Sequence, residues 1–331
     1  MQNSSTNTST PRLSVIMPTF NCLAYVEATI ACVFAQQVVD LELIAVDDGS
    51  TDGTLERLQQ LAEVEARLRV FRQQNGGPAA ARNRGISASC APLVAFIDAD
   101  DRWHPGKLQA QLALHERHPR LAMSFTDYRH VDEAGNDLGT CFDYWPRFAS
   151  KRHEDFCPAG RASAVSAIFS ENVVGTSTVM ASRAALQNAN GFDESLRSAQ
   201  DWELWIRLAL SAPVAWIDEV HCDYLMRPGS VTGNLPLRLE CMERIIRRHE
   251  AAVCAVDAAA FRHAIARLNT GWAECHRRDG QRMRALLRQS LAAVQAPSSR
   301  SLRAAASRAR DVVRALKLPT ATRRGVFTAV R

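Results

Sequence analysis

Apolar and polar positions in the first 130 residues follow two alternating rhythms. Short β-branched runs, LSVIM (13–17), LELIAVD (41–47), LRVFR (68–72), LVAFID (93–98) and LAMSFTDY (121–128), predict strands. Between them lie segments of helix length, about 23–36, 53–66, 78–89 and 105–118. Two of these open on Pro78 and Pro105, where a first-turn proline sacrifices no hydrogen bond. The order βαβαβαβαβ predicts right-handed crossovers and an α/β fold with a mainly parallel sheet flanked by helices. In such sheets ligands gather at the carboxyl ends of the strands, outside the switch in strand order. Polar residues collect there in this chain: PTFN (18–21), DDGSTDGT (47–54), QQNGGP (73–78) and DADD (98–101).

Beyond Tyr128 the rhythm fades. HVDEAGNDLGT (130–140) reads as a hairpin turn, and 136–160 is irregular and aromatic, with Phe142, Tyr144, Trp145, Phe148 and Phe156. Order returns with GTSTVMASRAALQNANGFDE (175–194), a helix at 201–210, a strand VAWID (214–218) and the loop RPGSVTGN (227–234). From about 236 the pattern is helical and Arg/Ala-rich, with a break at RRDG (277–280) where Gly280 suits a helix C-cap. A last amphipathic segment sets Leu302, Ala305, Ala309, Val312 and Leu316 on one face and Arg303, Arg310, Arg314 and Lys317 off it.

Charge and cysteines narrow the classes. The net +5 hides an asymmetry, because residues 277–331 hold 14 Arg/Lys against 2 Asp/Glu. Nine scattered cysteines with no CxxC pair suggest reduced thiols in a cytosol and argue against a zinc site. No apolar run reaches membrane-spanning length, and the polar start MQNSSTNTSTPR reads as a disordered tail rather than a signal peptide.

Four stretches carry candidate chemistry, each with a plainer alternative. Asp98 and Asp100, two apart at a strand end, can address a divalent cation and a sugar hydroxyl; equally, they can form a solvated, capped turn, with Asp101 starting the turn toward Pro105. Asp47 and Asp48 can accept hydrogen bonds from a base or a ribose, while Ser50 and Asp52 suit helix capping. Gly76 and Gly77 precede a helix start that carries Arg82, Asn83 and Arg84, which suits phosphate or is only a helix entry. Asp201 opens a helix whose Trp202, Trp205, Ile206 and Leu208 read as core, and it is either a dipole-favoured first-turn residue or a general base.

Together, MPTFN, VDDGSTDGT, NGGPAAARNRGI, FIDADDRWHP and QDWELWIRL, in this order over residues 13–230, resemble a family 2 glycosyltransferase of GT-A fold. The resemblance implies a nucleotide-sugar-binding half (13–128), an acceptor-binding half with the catalytic base (129–234) and an appended helical region with a basic tail (235–331), after a disordered start (1–12). It implies that Pro18, Thr19 and Asn21 line the nucleotide pocket, that Asp47 and Asp48 meet base and ribose with Asp48 at the base, and that Arg82 and Asn83 face the nucleotide. Asp98 would sit near the ribose and metal water, Asp100 would ligate Mn²⁺ or Mg²⁺ directly, and Asp201 would be the catalytic base.

The implied activity is inverting transfer of a sugar from a nucleotide diphosphate, most simply UDP, to a hydroxyl on a glycan or lipid-linked glycan acceptor in cell-surface glycan assembly. Selectivity would rest on residues about 140–180. Gln200 replaces the Glu that many relatives place before the base, the QxxRW signature of processive synthases is missing, and RPGSVTGN lacks a histidine that some relatives carry. Two other classes are a nucleotidyltransferase, whose Gly-rich Arg-bearing first loop is here PTFN, and a nucleotide-sugar-binding module without activity. The basic tail suits peripheral contact with the inner face of a membrane, although its mostly alanine face fits protein packing equally well. No nucleic-acid-binding motif accompanies it.

Overall fold

A computed structural model describes residues 10–150, 152, 161–227 and 234–317. Most of the expected disordered start, most of RPGSVTGN and the last fourteen residues lie outside the described residues. The chain divides into two compact units, Met1–Ala264 and Ile265–Arg331.

The first unit opens with β1 (Leu13–Thr19), α1 (Leu23–Phe34), β2 (Leu41–Asp47), α2 (Thr54–Val64), β3 (Leu68–Arg72), α3 (Gly77–Ala88) and β4 (Leu93–Phe96). It continues with β5 (Arg102–Trp103), α4 (Lys107–Arg117), β6 (Met123–Val131), β7 (Asp137–Thr140) and the short α5 (Cys141–Tyr144) and α6 (Pro146–Ala149). Then follow α7 (Arg161–Glu171), a 3-10 turn (Thr176–Thr178), β8 (Met180–Ser182), α8 (Arg183–Asn188), α9 (Gln200–Ser211) and β9 (Val214–Leu225). The strands form one sheet in the order β3-β2-β1-β4-β8-β6-β9-β5, with β7 paired to β6. β1 pairs in parallel with both β2 and β4, so strand order reverses between β1 and β4. That is the edge where the polar loops were expected to converge.

Alternation along the strands feeds two layers. Leu13, Val15 and Met17 of β1 and Leu43 and Ala45 of β2 pack with Val26, Ile30 and Val33 of α1. Ile44 and Val46 face the other way, onto Ala81 of α3. On that face a Cβ at Gly85 would lie 2.4 Å from Ile16 Cγ2, so α3 approaches β1 through a residue with no side chain. With both faces covered, these strands are nearly continuously buried.

The second half departs from a simple parallel run. The strand expected at 121–128 does not pair with β4; the short antiparallel β8 lies between them. β9 runs past VAWID to Leu225, pairing in parallel with β6 and antiparallel with β5. Its polar residues Glu219, His221 and Asp223 interrupt the apolar pattern, and register shifts in the β6–β9 ladder accommodate them. The first unit also includes the start of α10 (Leu235–Arg278), whose backbone leaves the helical region at Asp257. The Asp257 carboxylate then caps the restarted helix, accepting from the N–H groups of Ala259 and Ala260.

In the second unit, α10 ends in a Schellman turn. Gly280 has φ +73°, its N–H donates to Arg277 O, and Gln281 N–H donates to His276 O. α11 (Arg282–Gln295) and α12 (Ser299–Lys317) follow and pack on each other. The eight described cysteines are unpaired thiols, and no described helix is long and apolar enough to cross a membrane.

Candidate active site

The loops after β1, β2 and β3 are bolted together by side-chain-to-backbone bonds. Asn21 takes a left-handed backbone (φ +49°), its N–H donates to Ser50 Oγ at 3.0 Å, and its Oδ1 accepts from Thr51 N at 2.9 Å. Thr19 is buried and its hydroxyl donates to Val46 O, so it faces inward, while Pro18 pairs with Val46 within the sheet. Asp48 Oδ1 accepts from Gln73 Nε2 and Gly76 N, and Oδ2 from Gly77 N, each at 2.8 Å. Gly77 can aim that N–H because it adopts φ +85°. Asp48 thus pins the third loop to the second. Asp47 Oδ2 accepts from Ser50 N, and its buried Oδ1 has no partner among the described residues. The acceptor to spare in this pair belongs to Asp47, whereas the sequence reading placed Asp48 at the base.

A charge cluster forms where β4 ends. Arg82, in the second turn of α3 and buried, donates through Nη2 to Asp98 Oδ1 at 2.6 Å, with its guanidinium over the Phe192 ring. Burial works against its charge, but Asp98 and then Asp201 offset that and hold the guanidinium above its ordinary range. Asp201 lies in the first turn of α9; its Oδ2 accepts from Thr176 Oγ1 at 2.9 Å and its Oδ1 from Trp202 N. Asn83 instead turns away from this cluster. Its amide nitrogen donates to Phe192 O and Glu194, and its oxygen accepts from Phe192 N, so it braces the 190–194 loop. Gly191 is what lets that loop come so close, since a Cβ there would lie 2.4 Å from Asn83 Oδ1.

Asp100 and Asp101, adjacent in sequence, take opposite roles. Asp101 is buried, accepting from Ser177 Oγ and Leu225 N, and it ties the DADD loop to the 3-10 turn and the end of β9. Burial, then Asp98 and Asp100, push its carboxyl well above the usual range. Asp100 is partly open, and its Oδ2 accepts from Arg227 Nε at 2.7 Å while that guanidinium lies over the Tyr25 ring. Burial and the neighbouring Asp98 push the Asp100 carboxyl up, against the pull of Arg227.

Among the described residues no group of three or more His, Cys, Asp or Glu could enclose a metal. Two carboxylates at a half-open edge nevertheless fit a hard cation that takes its remaining ligands from phosphate oxygens and water. Like charge between Asp98 and Asp100, which raises the latter's carboxyl, is what such a cation would relieve.

Thr176, Ser177 and Arg227 escaped the sequence reading. The first two sit in GTSTVM, a run of small hydroxyl residues amid apolar ones, and Ser177 Oγ also accepts from Asp98 N at 2.9 Å. Arg227 opens the loop RPGSVTGN, which was remarked on only for the histidine it lacks. Further support comes from Glu203, one turn-fraction beyond Asp201 and buried. It accepts from Arg207, His249 and Arg248, and Arg248 also pairs with Asp193. Burial opposes ionisation of Glu203, yet His249 and Arg207 prevail and lower its carboxyl to about 2.

The sequence model described as "Glycosyl transferase family 2" matches residues 14–174. TuaG of Bacillus subtilis, a glycosyltransferase named for teichuronic acid biosynthesis, is 31% identical over 227 residues, 68% of this chain and 82% of that protein. The chain belongs to glycosyltransferase family 2. A chondroitin synthase of Pasteurella multocida is 27% identical over 60% of this chain, which spans only 19% of that longer protein. Among solved structures, TarS 1-349 of S. aureus in complex with UDP-GlcNAc superposes with a TM-score of 0.60 over 92% of both chains at 17% identity. The mannosyltransferase PcManGT of Pyrobaculum calidifontis with GDP-Man and Mn²⁺ gives 0.60 over 94% of this chain and 82% of that one, at 21% identity. These likenesses establish the GT-A fold.

Proposed function

We propose that this family 2 glycosyltransferase moves a sugar, with inversion, from a nucleotide diphosphate donor, most simply a UDP-sugar, to a hydroxyl on a glycan or lipid-linked glycan of the cell surface. The observation that carries the reading is the convergence on Arg82 of Asp98, which follows β4, and of Asp201, about a hundred positions further on, at the edge where strand order reverses. Support for the donor class comes from the nucleotide sugars bound in TarS and PcManGT, and for the setting from the glycan named in TuaG.

In this reading the nucleotide lies along the edge formed by Pro18, Asn21 and Asp47, with Thr19 buried behind it and Asp48 holding the loop beneath it. Asp98, oriented by Arg82, faces the ribose. Asp201, steadied by Thr176, accepts the proton of the acceptor hydroxyl as its oxygen bonds to the anomeric carbon. The bond from that carbon to the diphosphate breaks on the opposite face, and its electron pair leaves with the phosphate. Mn²⁺ or Mg²⁺ held by Asp100, with Asp98 in support, would neutralise charge on the departing diphosphate. Arg227 and the cation address the same carboxylate, so Arg227→Gln is expected to tighten Mn²⁺ binding, read by titration with paramagnetic detection.

The test is nucleotide release from a panel of UDP-, GDP- and dTDP-sugars, with Mn²⁺ or with chelator. Release that needs the cation and is lost in Asp201→Asn and Asp100→Ala supports the proposal. Full activity in Asp201→Asn, or chelator-indifferent activity with an active Asp100→Ala, would sink it. Donor binding without release in any acceptor mixture would favour a binding module.

A further inference from the structure

Helix α11 is packed inside out. It buries the small or polar Ala285, Gln289, Ala292 and Ala293, while Met283, Leu287, Leu291 and Val294 are 66%, 61%, 41% and 75% exposed. Spacings of four, four and three residues place those four side chains in one stripe, away from the packed face. Exposed Arg282 and Arg284 and half-exposed Arg288 flank it. Neighbouring α12 exposes Leu302 and Val313, eleven residues and so three turns apart, beside the exposed Arg303, Arg310 and Arg314.

The charge around the stripe is one-sided. Residues 265–317 hold 12 Arg/Lys against 3 Asp/Glu. One of those acids, Glu274, is already taken by Arg277, Arg278 and Arg308. Arg282, Arg284, Arg303, Arg310 and Arg314 form no ion pair among the described residues.

We propose that this face of α11 docks on a bilayer surface containing anionic phospholipids. Such a surface is apolar just below its headgroups and negative at them, which matches bulky apolar side chains rimmed by arginines. A second copy joined through the same stripe would bring two strongly positive units together with no acidic rim to pair them. The alanine-rich face of α12, where the sequence suggested membrane contact, is occupied in its middle, where Val312 is buried and Ala305 and Ala309 are half-buried, and of its described side chains Leu302 alone is exposed. The contact therefore passes to α11. This inference does not depend on the catalytic reading, and its test needs neither donor nor acceptor.

The full chain is mixed with phosphatidylcholine vesicles, with or without a minor fraction of phosphatidylglycerol, and separated by flotation. The expected result is flotation with the anionic vesicles alone, weakened by salt, and a loss of roughly tenfold or more in bound protein for Leu287→Glu/Val294→Glu. Arg284→Gln/Arg303→Gln should lower binding by a smaller factor. Leu287→Trp, a variant that keeps the stripe apolar, should show blue-shifted emission and quenching by brominated lipid on anionic vesicles. Thermal midpoints matching the parent protein establish that the variants are folded. Equal flotation with neutral vesicles, no flotation, or unchanged binding by the Glu double variant would overturn the proposal. So would light scattering that finds a dimer which the same double variant converts to monomer.

Discussion

Helices α9 and α11 have similar lengths and each carries bulky apolar residues at helical spacing, yet they are oriented in opposite senses. α9 buries Trp202, Leu204, Trp205, Ile206 and Leu208, with Trp205 against Phe96 and Phe192 and the Trp202 indole donating to Ile168 O. α11 buries alanines and presents its large side chains to solvent. An amphipathic pattern fixes the spacing of a stripe but not which neighbour it meets. α9 packs on α7, meets Phe96 of the sheet through Trp205 and is tied to α10 through Glu203 and His249, and these contacts hold Asp201 at a defined place. α11 has only alanines and Gln289 buried in its packed face, so its apolar stripe is free for a partner.

Four changes would break or sharpen this contrast. Asp201→Asn should cut sugar transfer by about 10²–10⁴-fold, the usual range for a lost general base, while lowering the thermal midpoint only slightly through loss of the charge facing Arg82; steady-state kinetics beside calorimetry would check both halves. Trp205→Ala should cost about 3–5 kcal/mol in denaturant unfolding, because it empties a space between Phe96 and Phe192.

Glu203→Gln should cost about 3 kcal/mol at neutral pH, from a carboxyl lowered from its ordinary value to about 2. Since the folded protein holds this group ionised to lower pH than the unfolded chain does, its contribution is complete above about pH 4.5 and fades as pH falls toward 2. The parent and variant stability curves should therefore converge on acidification. Leu287→Ser should change stability by no more than about 0.5 kcal/mol, as for exposed sites generally. A large loss there would show that the stripe is structural after all.

Much of the first 120 residues was legible because the signals there are local. β2 and β3 fall on the expected residues, and the first four helices lie within two or three residues of expectation, because β-branched runs and first-turn prolines act over a few positions. The second half was not, since its elements depend on distant pairings. β8 is three residues long and intelligible only between β4 and β6, and β9 carries polar residues whose partners, Arg129 in β6 and His104 just after β5 for Asp223, lie far away in the chain.

Site residues divide in the same way. Asp98, Asp100 and Asp201 could be nominated from their motifs, but Thr176, Ser177 and Arg227 matter through contacts made across 25, 76 and 127 positions. Asn83 was nominated for a nucleotide and instead braces Phe192, a bond made over 109 positions.

By itself, then, the sequence determined the alternation of strands and helices, the family, and the gathering of acidic residues at one edge of the sheet. Hydrophobic period and turn chemistry are properties of neighbouring residues, so a single chain read in order displays them. Only the tertiary structure decided that Asp48 and Asp101 serve as bolts while Asp47 keeps a buried, unpartnered oxygen and Asp100 stays partly open, and that Arg82 bonds Asp98 within reach of the Asp201 charge. It also decided that α11 faces outward. A carboxylate's role depends on which donors reach it and how much water remains, and a stripe's role on what packs against it; both are fixed by residues far away along the chain.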